Sequence, residues 1–233
     1  MKTFSTILEK VETIAPAVKF FRFALDEDSR DFKFQPGQFL SAKISDKVFR
    51  AYSFCSHPRD LPRFELVIKI IPGGLGSTFF DNLKSGGKLE FFAPFGHFLL
   101  PEKKSDLIFI ATGVGFAPFR SFLREIFHRE NPPRVDLFFG FRHEEDSLFT
   151  DEISELQKKF PEKFVAKTCV SQPRGNNFTG NRGRVTDFLR TENLEFFTDK
   201  KVFLCGSKAM STEVQKILHE KKVVPENISD ESY

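Results

Sequence analysis

The chain of 233 residues is 40% hydrophobic and 29% charged, a balance that excludes an intrinsically disordered protein. Lys and Arg number 35 against 32 Asp and Glu, and the resulting charge of +3 is too small for a nucleic-acid-binding protein. No apolar run reaches the roughly 18 residues of a membrane span, and the opening stretch MKTFSTILEKVE carries charges where a signal peptide is apolar, so a cytoplasmic location is expected.

From Ser5 to about Phe98 the segments are short and strand-like: 18–23, 39–44, 64–70 and 88–92. Pro36-Gly37, Pro72-Gly73-Gly74 and Gly86-Gly87 break them, which predicts an antiparallel barrel or sandwich. One short helix is expected from Ser77 to Leu83, with Ser77 as its N-cap. Pro101 to Ser105 reads as a linker, after which the period changes. Asp106 to Ala111 is a buried strand, and Pro118 sits where a first helical turn tolerates it. Phe119, Phe122, Leu123, Ile126 and Phe127 then mark one helix face. Strands at 135–140, 164–169 and 201–205 alternate with helices carrying Ile153, Leu156 and Phe160, and Met210, Val214, Ile217 and Leu218. That alternation predicts a parallel α/β sheet with helices on both faces. The expected organisation is a β-barrel domain over residues 1–101 and a nucleotide-binding α/β domain over 102–233.

Ligands of an open parallel sheet bind beyond the carboxyl ends of its strands. The first such end is Ala111-Thr112-Gly113-Val114-Gly115-Phe116-Ala117-Pro118, whose glycines allow close approach to a pyrophosphate. Pro118 stands where the usual dinucleotide fingerprint has its third Gly, so a plain glycine-rich turn is the alternative. The other ends are Phe139-Gly140-Phe141-Arg142 and Leu204-Cys205-Gly206-Ser207. In the barrel, Arg50 and Tyr52 share a strand face, suiting a phosphate-bearing aromatic ligand or an ordinary exposed strand. Gly73 to Thr78 is a second candidate phosphate cradle. Three widely spaced cysteines, Cys55, Cys169 and Cys205, predict no zinc site, no iron–sulfur cluster and no disulfide framework. No metal is expected.

The set Arg50-Ala51-Tyr52-Ser53, Gly74-Leu75-Gly76-Ser77-Thr78, Pro94-Phe95-Gly96-His97-Phe98, Thr112 to Pro118 and Cys205-Gly206 resembles the ferredoxin–NADP⁺ reductase superfamily in order and spacing over nearly the whole chain. The resemblance implies a six-stranded antiparallel barrel holding FAD, followed by an NAD(P)-binding domain. By the same resemblance Tyr52 packs on the isoalloxazine, Arg50 holds the FAD pyrophosphate and Ser53 lies near flavin N5. Gly76, Ser77 and Thr78 add donors to that pyrophosphate, and Ala51, Ile68 and Gly74 complete the flavin set. Thr112, Gly113, Val114, Gly115, Pro118 and Gly206 fall in the nicotinamide set, with Cys205 beside the nicotinamide. Hydride passes from nicotinamide C4 to flavin N5, and the cofactors own the redox chemistry.

The ending Asp230-Glu231-Ser232-Tyr233 is similar to plastidic-type reductases, whose terminal aromatic stacks on the flavin face that nicotinamide must occupy. The implied catalytic set is Ser53, Cys205, Glu231 and Tyr233; an unstructured tail is the alternative. With 32 Phe, no Trp and only two Tyr, Tyr52 and Tyr233 are the expected partners for opposite flavin faces. For a 2′-phosphate, Arg142, Ser171 and the cluster Arg174, Arg182 and Arg184 supply guanidinium and hydroxyl groups, although Gln172 stands where many relatives have Arg. NADPH is favoured and NADH is the alternative. The leading function is a reductase passing electrons to a separate ferredoxin or flavodoxin. An NAD(P)H:flavin reductase or an oxygenase reductase component comes second, and a non-enzymatic electron-transfer protein third.

Overall fold

The structure, a computed structural model, describes residues 2–103, 105–175 and 178–233, so Lys104 of the expected linker lies outside them. It divides into two compact units, Met1–Leu100 with Ala117–His128, and Pro101–Phe116 with Arg129–Tyr233.

In the first unit β1 (Thr3–Ala15), β2 (Val18–Leu25), β3 (Phe39–Ser45), β4 (Val48–Ser53), β5 (Arg63–Lys69) and β6 (Lys88–Phe95) form one six-stranded antiparallel sheet. Its order is β4-β3-β6-β1-β2-β5. Just past β4, Cys55 N–H donates to Glu65 O of β5 at 3.0 Å and draws the two outer strands together. Alternation along the strands sends Phe21, Phe23, Phe64 and Phe91 inward, where they meet Phe32, Phe34 and Phe54 from the loops. The rings pack at van der Waals range, with Phe34 and Phe54 stacked at 4.2 Å and Phe54 edge-on to Phe64 at 5.3 Å. Each fully buried Phe contributes about 1.5–3 kcal/mol. Helix α1 (Leu75–Asn82) closes one end, Phe80 entering the core against Phe21.

α1 begins two residues before the expected N-cap. Gly74 is the N-cap, and no side chain caps the helix. Ser77 lies inside the first turn, and its hydroxyl accepts from Ile71 N–H at 2.9 Å, bracing the turn that precedes the helix.

The boundary expected at residue 101 misses one exchange. Helix α2 (Ala117–Ile126) clusters with the barrel unit rather than with the strand that leads into it. Polar anchors explain this. Arg120, 6% exposed, donates to Glu65 at 2.7 Å and to Cys55 O at 2.9 Å, while Ser121 donates to Ser56 O at 2.6 Å. Glu65 also receives Arg22 at 2.8 Å, and His57 meets Glu125 at 2.9 Å. Phe119, Phe122, Leu123 and Ile126 are buried as the periodicity predicts. Phe127 falls past the helix end and is half-buried.

In the second unit β7 (Leu107–Thr112), β8 (Val135–Phe141), β9 (Phe164–Val170), β10 (Lys201–Gly206) and β11 (Ile228–Ser232) form a parallel sheet ordered β11-β10-β7-β8-β9. Helices α3 (Thr150–Lys159), α4 (Val185–Thr191) and α5 (Lys208–Glu220) flank it. Ile108, Ile110, Val202 and Leu204 pack with Val185, Leu189, Val214 and Ile217 on one face. On the other, Phe116 stacks on Phe139 at 4.6 Å and Phe109 meets Phe203. Burial on both faces is why these strands read as continuous apolar runs. The strands 107–112, 135–141, 164–170 and 201–206 match expectation; α4 and β11 were not expected. Among the described residues no helix is long and apolar enough to cross a membrane.

Burial alone would raise the Glu65 carboxyl, but the guanidinium groups of Arg120 and Arg22 hold it below the ordinary value of 4.5. Glu65→Gln leaves Arg120 buried without its counter-charge and is expected to destabilise the barrel unit by about 3 kcal/mol in urea unfolding at pH 7. A lowered carboxyl stabilises fully above 4.5 and loses that contribution as pH falls through its folded value. The difference from wild type should therefore shrink in acid; a constant difference down to pH 3 would contradict the assignment.

Candidate functional site

The barrel unit brings β4 and the start of α1 together. Arg50 is exposed and, among the described residues, faces no carboxylate; its guanidinium only donates to the neighbouring Phe49 O at 2.8 Å. The first-turn N–H groups of an uncapped helix have no partner within the helix, and its dipole favours an anion there. Gly76 is the close-approach point. A Cβ at this position would meet the Tyr52 hydroxyl at 2.4 Å and Arg50 Cγ at 3.2 Å. The Tyr52 ring is half-buried, edge-on to Phe80 at 4.8 Å, and burial pushes its hydroxyl up to about 12 despite the charge of Arg50. It stays a neutral donor at physiological pH. A free guanidinium, unspent amides and an aromatic ring with one protected edge fit the FAD pyrophosphate and flavin. Ala51 is exposed and Ser53 half-buried at the end of β4. Ile68 is 2% exposed with its side chain in the core, so it can offer a flavin only main-chain atoms.

In the second unit β7 leads to β8 on one side and has β10 on the other. The order of strand addition therefore reverses between β7 and β10, and the carboxyl ends of those strands are where an open α/β sheet binds its ligand. Gly115 lies against β10 there. A Cβ on it would come within 2.4 Å of Cys205 O and 2.8 Å of Gly206 Cα. A Cβ on Gly206 would reach Thr112 Oγ1 at 2.3 Å. Thr112, Gly113, Val114, Gly115, Cys205 and Gly206 are thus one cluster. Pro118 is instead buried within α2.

The residues after β10 do not fray. β11 pairs in parallel with β10, setting Glu231 beside Cys205 and Ser232 beside Gly206. Tyr233 N–H donates to Gly206 O, and Lys208 N–H donates to Tyr233 O, both at 3.0 Å. The Tyr233 ring is 66% exposed, and its hydroxyl lies in the field of the Gly115 amide and Cys205. Burial and the neighbouring Glu231 push the Cys205 thiol well above its ordinary range. Cys205 is therefore held as a neutral thiol at this sheet end.

The residues expected to read a 2′-phosphate gather around the ends of β8 and β9, where several already have partners. Arg142 Nε donates to Gln172 Oε1 at 3.0 Å and has no carboxylate partner among the described residues. Ser171 is half-buried, its hydroxyl donating to Phe141 O. Arg174 is already spoken for: its guanidinium pairs with Glu145 and its N–H donates to Glu144 at 2.9 Å. Arg184 points at Glu213 from 4.0 Å, and Arg182 donates to Phe178 O. Glu144 and Glu145, three and four residues past β8, are acids beside Arg174 with no role expected from the sequence, and their spacing from Phe141 is the signal that could have found them. Asp230 is a further residue of this kind.

Residues 5–99 match the family of oxidoreductase FAD-binding domains, and residues 109–216 the family of oxidoreductase NAD-binding domains. The ferredoxin–NADP reductase B of Sorangium cellulosum is 29% identical over 95% of this chain and 93% of its own length. Reductase component 1 of terephthalate 1,2-dioxygenase from Comamonas is 31% identical over 91% of this chain and 63% of its own. The electron transfer component of toluate 1,2-dioxygenase from Pseudomonas putida is 30% identical, matching 86% of this chain and 59% of the relative. The chain thus spans about three fifths of the length of these last two. The ferredoxin–NADP⁺ reductase of Plasmodium falciparum, as its H286L mutant, superposes over 99% of this chain and 96% of its own with a TM-score of 0.85 at 23% identity, a likeness of fold. The two matched families together span most of the chain and lead to one conclusion: the chain belongs to the ferredoxin–NADP⁺ reductase superfamily, with FAD and NAD(P)H as its redox cofactors.

Proposed function

We propose that this chain takes a hydride from NAD(P)H and delivers electrons to a separate soluble carrier such as ferredoxin or flavodoxin. The observation that carries the reading is the presence of two independent glycine turns suited to a phosphate, one beside Arg50 in the barrel and one at the switch point of the parallel sheet. FAD, when bound, supplies the hydride acceptor and the relay from two-electron to one-electron chemistry. Arg50 and the α1 amides balance the pyrophosphate charge, and Tyr52 presents a neutral aromatic face. At the other turn Gly115 lets the main chain approach a dinucleotide. Cys205, kept as a thiol, adds no charge beside the nicotinamide. The Glu231 carboxylate, its neighbour across β10 and β11, would favour a positively charged nicotinamide ring over a neutral one. Feeding an oxygenase is the second reading, favoured by the identity to the terephthalate dioxygenase reductase.

The purified protein should carry a yellow flavin spectrum and reduce ferricyanide with NAD(P)H, and reduced flavodoxin or ferredoxin should appear when the carrier is added. A colourless, inactive protein would overturn the proposal, and turnover confined to free flavins would replace the carrier with flavin as substrate. The two turns should separate genetically. Arg50→Ala is expected to lose FAD on gel filtration, while Gly115→Ala keeps it and lowers kcat/KM for NAD(P)H at least about tenfold, because a Cβ collides with backbone.

NADPH is the proposed donor, read through Arg142 and Ser171 rather than through the acid-paired Arg174. Arg142→Ala should lower kcat/KM for NADPH about tenfold and leave NADH unchanged; equal losses for both would remove the 2′-phosphate role. Tyr233 is proposed to occupy the place of the nicotinamide over the Gly115 turn. Tyr233→Ser should then tighten NAD(P)⁺ binding about tenfold by difference spectroscopy, and unchanged affinity would dismiss that role.

A further inference from the structure

Asp230 stands on a strand that needs a second attachment. β11 has five residues, lies at the edge of its sheet and, among the described residues, pairs only with β10. Short edge strands held on one side are weakly fixed. Asp230 supplies the other hold. Its Oδ2 accepts from the Ser211 hydroxyl and from Gln215 Nε2, the latter at 2.5 Å. Ser211 and Gln215 are four apart on α5, so both donors project from one helix face toward a single carboxylate oxygen. Ser211 is fully buried, and Asp230 is in register with Leu204, which packs toward α5.

Alternation sends the next side chains the other way. Glu231 stands beside Cys205 on the opposite face, and Tyr233 follows toward the Gly115 turn. The strand is therefore clasped to α5 on one face and presents its active side chains on the other. The main chain of Tyr233 is itself hydrogen-bonded to Gly206 and Lys208. Its ring can leave the turn by side-chain rotation alone or by release of the strand, and only the second route depends on Asp230.

We propose that the Ser211–Asp230–Gln215 clasp is the latch of this strand, and that Asp230 is a positioning residue setting how readily Tyr233 yields the Gly115 turn to a nicotinamide. This rests on Tyr233 competing with the nicotinamide. A charged acceptor holding two neutral donors makes the latch firm. Removing it lowers the free energy of opening, and a nucleotide that must displace Tyr233 then binds more tightly.

The test uses the FAD-loaded chain of 233 residues and three variants, Asp230→Ala, Ser211→Ala and Tyr233→Ser. Amide hydrogen exchange without nucleotide should accelerate at least tenfold over 228–233 in Asp230→Ala, and less in Ser211→Ala, with β7 and β8 unchanged. NADP⁺ and NAD⁺ titrations should show Asp230→Ala tightening Kd several-fold, and adding Asp230→Ala to Tyr233→Ser should tighten it no further. Unchanged exchange would show that the clasp does not hold the strand. Faster exchange with wild-type Kd, while Tyr233→Ser alone binds tighter, would overturn the latch and leave Tyr233 moving by rotation. Unchanged Kd in Tyr233→Ser would overturn the competing role of Tyr233 itself, and the latch with it. Ser211→Ala keeps the carboxylate and a small buried side chain, so it reports on the latch even if Asp230→Ala folds poorly.

Discussion

Backbone must lie against backbone where β7 and β10 end, and the rest of the second unit is arranged around that contact. The Gly115 main chain occupies space that a single methyl group would deny it, since a Cβ would lie 2.4 Å from Cys205 O. Gly206 makes the reciprocal demand on Thr112. Because neither side has a side chain to contribute, the cluster offers a dinucleotide amides and dipoles rather than charges. The flanking strands make this possible. β7 and β8 are buried nearly end to end, so their carboxyl ends are held by packing on both faces and do not rely on the loop for order.

Charge is used sparingly throughout the two turns. The excess of +3 leaves few cations to spare, and most arginines already have acidic partners. Arg50 and Arg142 are the exceptions of interest: exposed side chains beside a turn, with no carboxylate on them among the described residues. Burial holds one group neutral in each unit, the Tyr52 hydroxyl, pushed up to about 12, and the Cys205 thiol, above its ordinary range. In the second unit a neutral thiol beside the Glu231 carboxylate suits the proposed reaction, whose donor would gain positive charge as hydride leaves.

Local signals in the sequence carried much of this, and long-range pairing carried the rest. The glycine turns, the Arg50-Ala51-Tyr52-Ser53 strand and the four buried strands of the second unit are contiguous patterns whose physics is local. The N-cap of α1 misled because Ser77 is a good capping residue used for another purpose, bracing Ile71 from inside the helix. The placement of α2 was illegible because it is decided by Glu65, 55 residues upstream of Arg120, and no periodicity reports an ion pair. The arginine cluster looked stronger in sequence than in space for the same reason, since Glu144 and Glu145 reach Arg174 across 30 and 29 positions. β11 was missed because Ile-Ser-Asp-Glu-Ser has little strand character.

That weak strand shows how a segment acquires structure its composition does not request. Five residues with four polar side chains in succession bury little apolar area, so β11 borrows order from both neighbours: main-chain pairing from β10 and a carboxylate anchor from α5. An element held by hydrogen bonds rather than by packing opens at lower free energy than the strands beside it. Its position then matters more than its strength, because it carries Glu231 and Tyr233 to the end of the sheet where Gly115 and Cys205 meet. A firmly packed strand would hold those side chains permanently, and an unattached one would not present them. Attachment at two polar points lies between those limits, which is what a side chain must have if it is to occupy a nucleotide's place and give it up.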